Sequence, residues 1–473
     1  MADELAGYWL SRFVFERALA LVYLVAFICA VNQFVPLLGE RGLLPASRFV
    51  RVVPFRSAPS LFYLSATDST FRAAAWLGVG LSLFMLLGVA QRSMFAAAAV
   101  WAALWTLYLS FVNVGQVFYG FGWESLLLET GFLAIFLGAS GREPSFIHTL
   151  LLRWVLFRIM FGAGLIKMRG DPCWRQLTCL DYYFETQPMP NPLSWWFHWL
   201  PRRVLHAGVG FNHFVELVVP FGYFLPQPIS SVAGVITIVF QLTLIVSGNL
   251  SWLNWLTIVL AIPTIDDRWL RWLPVGPPAL AADSTVHQAV VYALAALVAF
   301  LSVNPTLNML SPQQVMNTSY TPLQLVNTYG AFGSITRTRD EIVIEGTDED
   351  GASTDSAWRA YEFKGKPGDV SRRPPQVAPY HLRLDWLMWF AAMSSPREHP
   401  WFSALLLKLL QGDPETIGLL RTNPFPNHPP RYIRAQLYEY HFTTPEQRHQ
   451  SGAWWTRTLV GSYFPAVSLR DAR

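Results

Sequence analysis

Long apolar runs dominate the first two thirds of the chain. Windows at 13–34, 71–90, 93–112, 124–139, 150–168, 214–225, 231–247, 250–262 and 286–303 are mostly apolar. A membrane-spanning helix needs about 20 such residues. The first window keeps Glu16 and Arg17 at its start and lacks a small-residue cleavage site, so it reads as an anchor and not as a removed leader. The 214–225 window is short and broken by proline, and Gly248 and Asn249 join two neighbouring windows. The pattern predicts a polytopic α-helical membrane bundle of about eight or nine membrane segments over residues 1–310. A proline-containing linker follows at 311–322.

Beyond it the period changes. Ile342 and Ile344 alternate with polar neighbours, as do Leu382, Leu384 and Trp386, and Ile433, Ala435 and Leu437. Alternation of this kind predicts half-buried strands. Residues 401–410 are apolar enough for a packed helix, and Asp413-Pro414 starts another. The acidic run Asp348-Glu-Asp-Gly351 reads as a loop. Residues 323–473 are therefore expected to form an α+β, β-rich domain outside the bilayer.

Composition sharpens the division. Hydrophobic residues make up 52% of the chain and charged residues 14%, against roughly 25% charged in a soluble domain. Residues 1–310 hold 18 basic and 15 acidic side chains, and the much shorter remainder holds 17 and 16. The aromatic share of 15% excludes general disorder, and 3 cysteines exclude a disulfide-built scaffold. A net charge of +4, spread along the chain, argues against a nucleic-acid partner. Loop charges leave the orientation open: Arg41, Arg48, Arg51 and Arg56 favour an outside N-terminus, and the basic 169–203 loop opposes it.

With so few charges in the bundle, the ionisable groups there stand out. Lys167 is the one lysine of residues 1–310 and follows Phe161-Gly-Ala-Gly-Leu-Ile166. An embedded ammonium marks function, for example as a base, or else snorkels to the interface. Glu129 and Glu216 lie in apolar runs, and His213 stands three residues before Glu216 on the same helix face. They form either a proton relay or polar pocket, or hydrogen bonds that hold helices together. Arg158 faces away from Lys167 on an unbroken helix, which Gly162 and Gly164 could loosen. It is expected to pair with an acidic residue of a neighbouring helix. Cys173 and Cys179 either close a small disulfide in an oxidising compartment or stay free thiols, and they are too few for a zinc site. The loop from Asp181 to Pro192 holds Tyr183, Glu185, Gln187 and Asn191 and is either a binding loop or a membrane-interface loop. No esterase, phosphate-loop or metalloprotease motif is present, and the residues identify no cofactor.

Several long strings resemble the lipase maturation factors: Gly39-Glu-Arg-Gly-Leu-Leu-Pro45, Tyr119-Gly-Phe-Gly-Trp-Glu-Ser-Leu-Leu-Leu-Glu-Thr-Gly131, Tyr183-Phe-Glu-Thr-Gln-Pro-Met-Pro-Asn-Pro192, Ser247-Gly-Asn-Leu-Ser-Trp-Leu-Asn-Trp255 and Leu325-Val-Asn-Thr-Tyr-Gly-Ala-Phe-Gly333. The resemblance implies an integral membrane protein that helps secreted lipases or related hydrolases fold and assemble. It adds Trp123, Asn249 and Asn254 to the candidates for client or ligand binding. The expected location is the endoplasmic reticulum membrane in a eukaryote and the inner membrane in a bacterium. A shorter stretch, Gly162-Ala-Gly-Leu-Ile-Lys-Met168 with Trp174, is similar to the segment that carries the catalytic-base lysine of the vitamin K-dependent γ-carboxylases, of the horizontally transferred transmembrane type. That resemblance implies an alternative, a membrane enzyme using Lys167 as base on a lipid- or quinone-like substrate.

Overall fold

The computed structural model describes residues 7–349 and 356–471. Among them, seven helices are long and apolar enough to cross a membrane: Trp9–Leu38, Asp68–Leu86, Met94–Val114, Phe146–Arg169, Arg202–Gly222, Ile229–Ser247 and Thr285–Leu310. Hydroxyl side chains begin several of them. Thr67 accepts the Thr70 N–H, Ser93 that of Ala96, and Ser145 that of His148, each satisfying a backbone donor that the first turn leaves open. Two of the expected segments are shorter than spans. Gly122–Ala134 and Leu253–Ala261 are helices of 13 and 9 residues, buried among the long ones.

The Trp9–Leu38 helix packs along Asp68–Leu86 and also touches Met94–Val114, Gly122–Ala134 and Leu253–Ala261. Its Tyr23, Phe27 and Phe34 meet Tyr108, Phe111, Phe62 and Phe71 mostly edge to face, the geometry that ring quadrupoles favour. Gly78 makes the close approach possible, since a Cβ there would overlap the Phe27 ring.

The C-terminal part holds a four-stranded antiparallel sheet. Its order is Arg359–Ala360, Arg339–Thr347, Tyr432–Phe442, Trp455–Ser468. Ile342 pairs with Leu437 and Ile344 with Ala435, so two of the alternating runs are strands as expected. Arg339–Thr347 is nonetheless buried on both faces and not on one, because Glu341 and Glu345 are paired inside with Arg339, Lys366 and Arg434. The third run is not a strand. Leu382, Leu384 and Trp386 belong to the start of the Arg383–Ala392 helix, which packs on the Arg339–Thr347 strand. The intervening Arg383 and Asp385 are buried as well, so the alternation of type did not mark alternation of exposure. Arg383 meets Glu124, and Asp385 accepts the backbone N–H groups of Gly365 and Lys366. The Pro400–Leu410 helix forms as expected, and Asp413 caps the next by accepting from Thr416. Of the acidic run, Asp348 pairs with Arg359, and Asp350 and Gly351 lie outside the described residues.

One hydrophobic core runs through both parts. It joins Phe15, Leu104 and Leu126 of the bundle to Ile344, Trp386 and Leu405. Buried polar groups pin the junction. Arg383 donates to Glu124 at 2.7 Å and to the Phe118 carbonyl at 2.7 Å. Gln33 holds the backbone at both His381 and Arg383.

Candidate functional site

Gly164 is where the site begins. A Cβ there would press on Leu217 and Glu216, so glycine lets the Arg202–Leu217 helix close on Phe146–Arg169. Gly162 likewise admits the Tyr329 carbonyl. The two glycines therefore serve close packing, and the helix through them is continuous, not loosened.

The approach brings Lys167 against Glu216 and Asn212. Lys167 Nζ donates to Glu216 Oε1 at 2.5 Å and to Asn212 Oδ1 at 3.2 Å. Asn212 Nδ2 donates to Glu216 Oε2 at 3.0 Å, which closes a ring of three side chains. All three are buried, at 5%, 4% and 8% exposure. Pairing cancels the charge, and the third side chain completes the hydrogen bonding that makes such burial tolerable. The Trp174 ring lies 5.0 Å from Nζ. His213 stands outside the ring and holds Trp174 by its carbonyl at 2.9 Å. Trp174 follows Cys173, which is joined to Cys179 in a disulfide.

The ring forms one wall of a cavity of about 320 Å³. The remaining lining is largely apolar, with Met160, Leu244, Leu250 and Phe390, and includes Trp123, Tyr183 and Asn254 from the sequence candidates. The cavity lies between the bundle and the C-terminal part, because Tyr329, Trp386 and Trp389 also face it.

Other candidates are placed elsewhere. Glu129 forms a buried pair with Arg158 and accepts from Asn327 N at 3.0 Å and Tyr329 OH at 2.6 Å. Arg158 also donates to the Asn327 carbonyl at 2.5 Å. Glu129 is thus a fastening between helices and the C-terminal part, separate from Lys167. Glu185 accepts from Phe442 N at 2.8 Å and binds His441 at 2.9 Å. The His441 imidazole loses something to burial, but Glu439 and Glu185 outweigh it and raise its pKa. Gln187 donates to the Ser247 carbonyl and to Ser194. Asn191 accepts from Leu193 N and Ser194. Asn249 bridges Pro190 and Pro375 carbonyls and accepts from Val377 and Ala378. The proline-rich loop is therefore a buried brace whose carbonyls also take Arg339.

Sequence reasoning did not single out Asn212, Gln241, Trp174 or Trp386 as site residues. Two of them carried a readable signal. Asn212 lies one helical turn before Glu216, and Gln241 interrupts an apolar helix, which in a bundle marks an inward face.

A helical membrane bundle with an α+β part fastened over one end, and a part-polar cavity at the seam, defines a polytopic membrane protein with a built-in extramembrane domain. The lipase maturation factor transmembrane domain family matches residues 10–272, and the lipase maturation factor C-terminal domain family matches residues 325–465. Lipase maturation factor 1 of Bos taurus is 46% identical over 511 residues, covering 98% of this chain and 90% of that protein. The Homo sapiens protein of that name is 45% identical, with 98% and 89% covered. Lipase maturation factor 2 of Homo sapiens is 31% identical, with 99% and 84% covered. The chain belongs to the lipase maturation factor family. No solved structure matches it significantly.

Proposed function

We propose that the chain is a membrane-embedded maturation factor that assists the folding or assembly of a secreted lipase or related hydrolase. The observation that carries this is the similarity to proteins named lipase maturation factors through both the bundle and the C-terminal part. The Cys173–Cys179 disulfide supports placing its loop on the non-cytoplasmic side, where secreted proteins fold. That is the lumen in a eukaryote, with the chain in the endoplasmic reticulum membrane, and the outer side of the inner membrane in a bacterium. The client surface in this reading is the C-terminal sheet, whose outer strand Trp455–Ser468 exposes Leu459 and Val460. We read the chain as non-enzymatic. Lys167 already has a carboxylate and an amide as partners, and no complete catalytic motif accompanies it.

The test is secretion of a lipase in a host lacking the chain, with and without its return on a plasmid. Secreted specific activity should fall several-fold without the chain at equal lipase synthesis. Unchanged activity for every secreted hydrolase assayed would remove the client reading.

A further inference from the structure

We propose that the cavity at the seam holds one molecule of an uncharged amphiphile, with its hydrocarbon chain along the apolar wall and an ester or ketone carbonyl at the polar end. At about 320 Å³ the cavity falls within the size range of small-molecule sites, which are largely apolar with a few placed polar groups. Ile159, Met160, Leu244, Leu250, Leu253 and Phe390 supply the apolar wall. Phe390 and Met316 are 39% and 46% exposed and mark an opening.

The polar groups say what head is wanted. They are short of acceptors. Trp386 is 3% exposed, and its Nε1–H has no hydrogen-bond partner among the described residues. Gln241 accepts a good bond from Asn254 at 2.7 Å, but its own amide donates to the Met160 sulfur at 3.4 Å, a weak acceptor. Lys167 uses two of an ammonium's three donors on side chains. A buried donor that makes no bond keeps its full desolvation cost, so a ligand bringing carbonyl oxygens is favoured. The head is uncharged because Glu216 already neutralises Lys167. An anionic head would meet the Glu216 carboxylate beside the ammonium.

The assignment does not depend on a client, so its test contains none. The full chain, purified in detergent, is titrated with tritiated monooleoylglycerol, with oleate as competitor. Binding should saturate near one per chain. It should weaken at least tenfold in Leu244→Trp, which fills the cavity, and several-fold in Gln241→Leu, which removes the sulfur-bound donor. Oleate should compete at least tenfold less well than unlabelled monooleoylglycerol. Both variants are compared at matched melting temperature, and if Leu244→Trp does not fold, Gln241→Leu and the competition series decide. Non-saturating uptake, uptake indifferent to the variants that fold, or oleate competing equally would each overturn the proposal.

Discussion

Arg158 and Lys167 show how a bundle with few charges uses each one. Nine positions apart on one continuous helix, they face different neighbours, as helical geometry requires. Arg158 takes Glu129 and the Asn327 carbonyl, and Lys167 takes Glu216 and Asn212. Breaking one side of a buried pair leaves an uncompensated charge, at about 3–5 kcal/mol. Glu129→Gln should therefore lower the melting temperature sharply in detergent. The double change Glu129→Gln with Arg158→Met should recover part of the loss. Wild-type melting in Glu129→Gln would show that the pair is not needed. His381 gives a pH signature. It is buried among Phe121, Trp123, Trp252 and Trp386, and burial, outweighing Glu124, lowers its pKa to about 4. The unfolded imidazole titrates near 6.5. Above that pH neither state binds the proton and the site contributes its full stability. Below it the unfolded state takes up the proton first, so stability is lost as pH falls from 6.5 to about 4, by roughly 3 kcal/mol in all. Melting scans between pH 8 and pH 4 should show a slope that flattens in His381→Asn. An equal slope in that variant would place the acid sensitivity elsewhere.

At the scale of elements, apolar length was the most readable signal. The long windows became helices because a helix satisfies its backbone groups within the one apolar segment, which lipid requires. Register was readable in the strand at Ile433, where Ile433 and Ala435 are buried between half-buried neighbours, whereas the paired strand at Ile342 is buried on both faces. The alternation misled at Leu382, Leu384 and Trp386, where the helix buries its charged positions too, through side-chain hydrogen bonds to partners 19 to 265 residues away in sequence. The cavity was half legible. Lys167 and Glu216 stood out by charge, but only the close approach at Gly164 puts them together. The loop holding Glu185, Gln187 and Asn191 left a binding loop and a membrane-interface loop open, because its residue types are polar, aromatic and constrained. Those same properties suit a brace that satisfies buried carbonyls. Glycine packing between helices makes a prediction at this scale. Gly78→Val should destabilise the contact between Trp9–Leu38 and Asp68–Leu86 by about 1–3 kcal/mol through overpacking. Gly80→Ala, with open space at its Cβ, should be neutral. Thermal melts of the two variants side by side check this, and equal melting would mean Phe27 yields freely.

The contacts across the seam predict that the whole molecule unfolds as one unit and not as an anchor with a free domain attached. The seam is not a wet interface between finished surfaces. Its core is continuous from Leu126 to Trp386, and its polar ties are buried. Arg383 reaches Glu124, Asn327 reaches Glu129, Asn249 reaches Val377 and Ala378, and Arg339 reaches the carbonyls of Glu185, Gln187 and Pro188. Pulling the parts away would strand each of these groups, at about 1–3 kcal/mol for every one left without water or partner. The covalent connection through 311–322 adds little to that. A protease site inserted after Ser311 should therefore yield, on cutting, two fragments that stay together through gel filtration in detergent. They should still melt in one transition. Adding Asn249→Ala and Arg339→Met to the cut chain removes two sets of ties on opposite sides of the seam, and the C-terminal fragment should then dissociate or aggregate. A C-terminal fragment that leaves the uncut-site background intact, stays soluble and melts on its own after simple cleavage would show that residues 323–473 carry a sufficient core of their own.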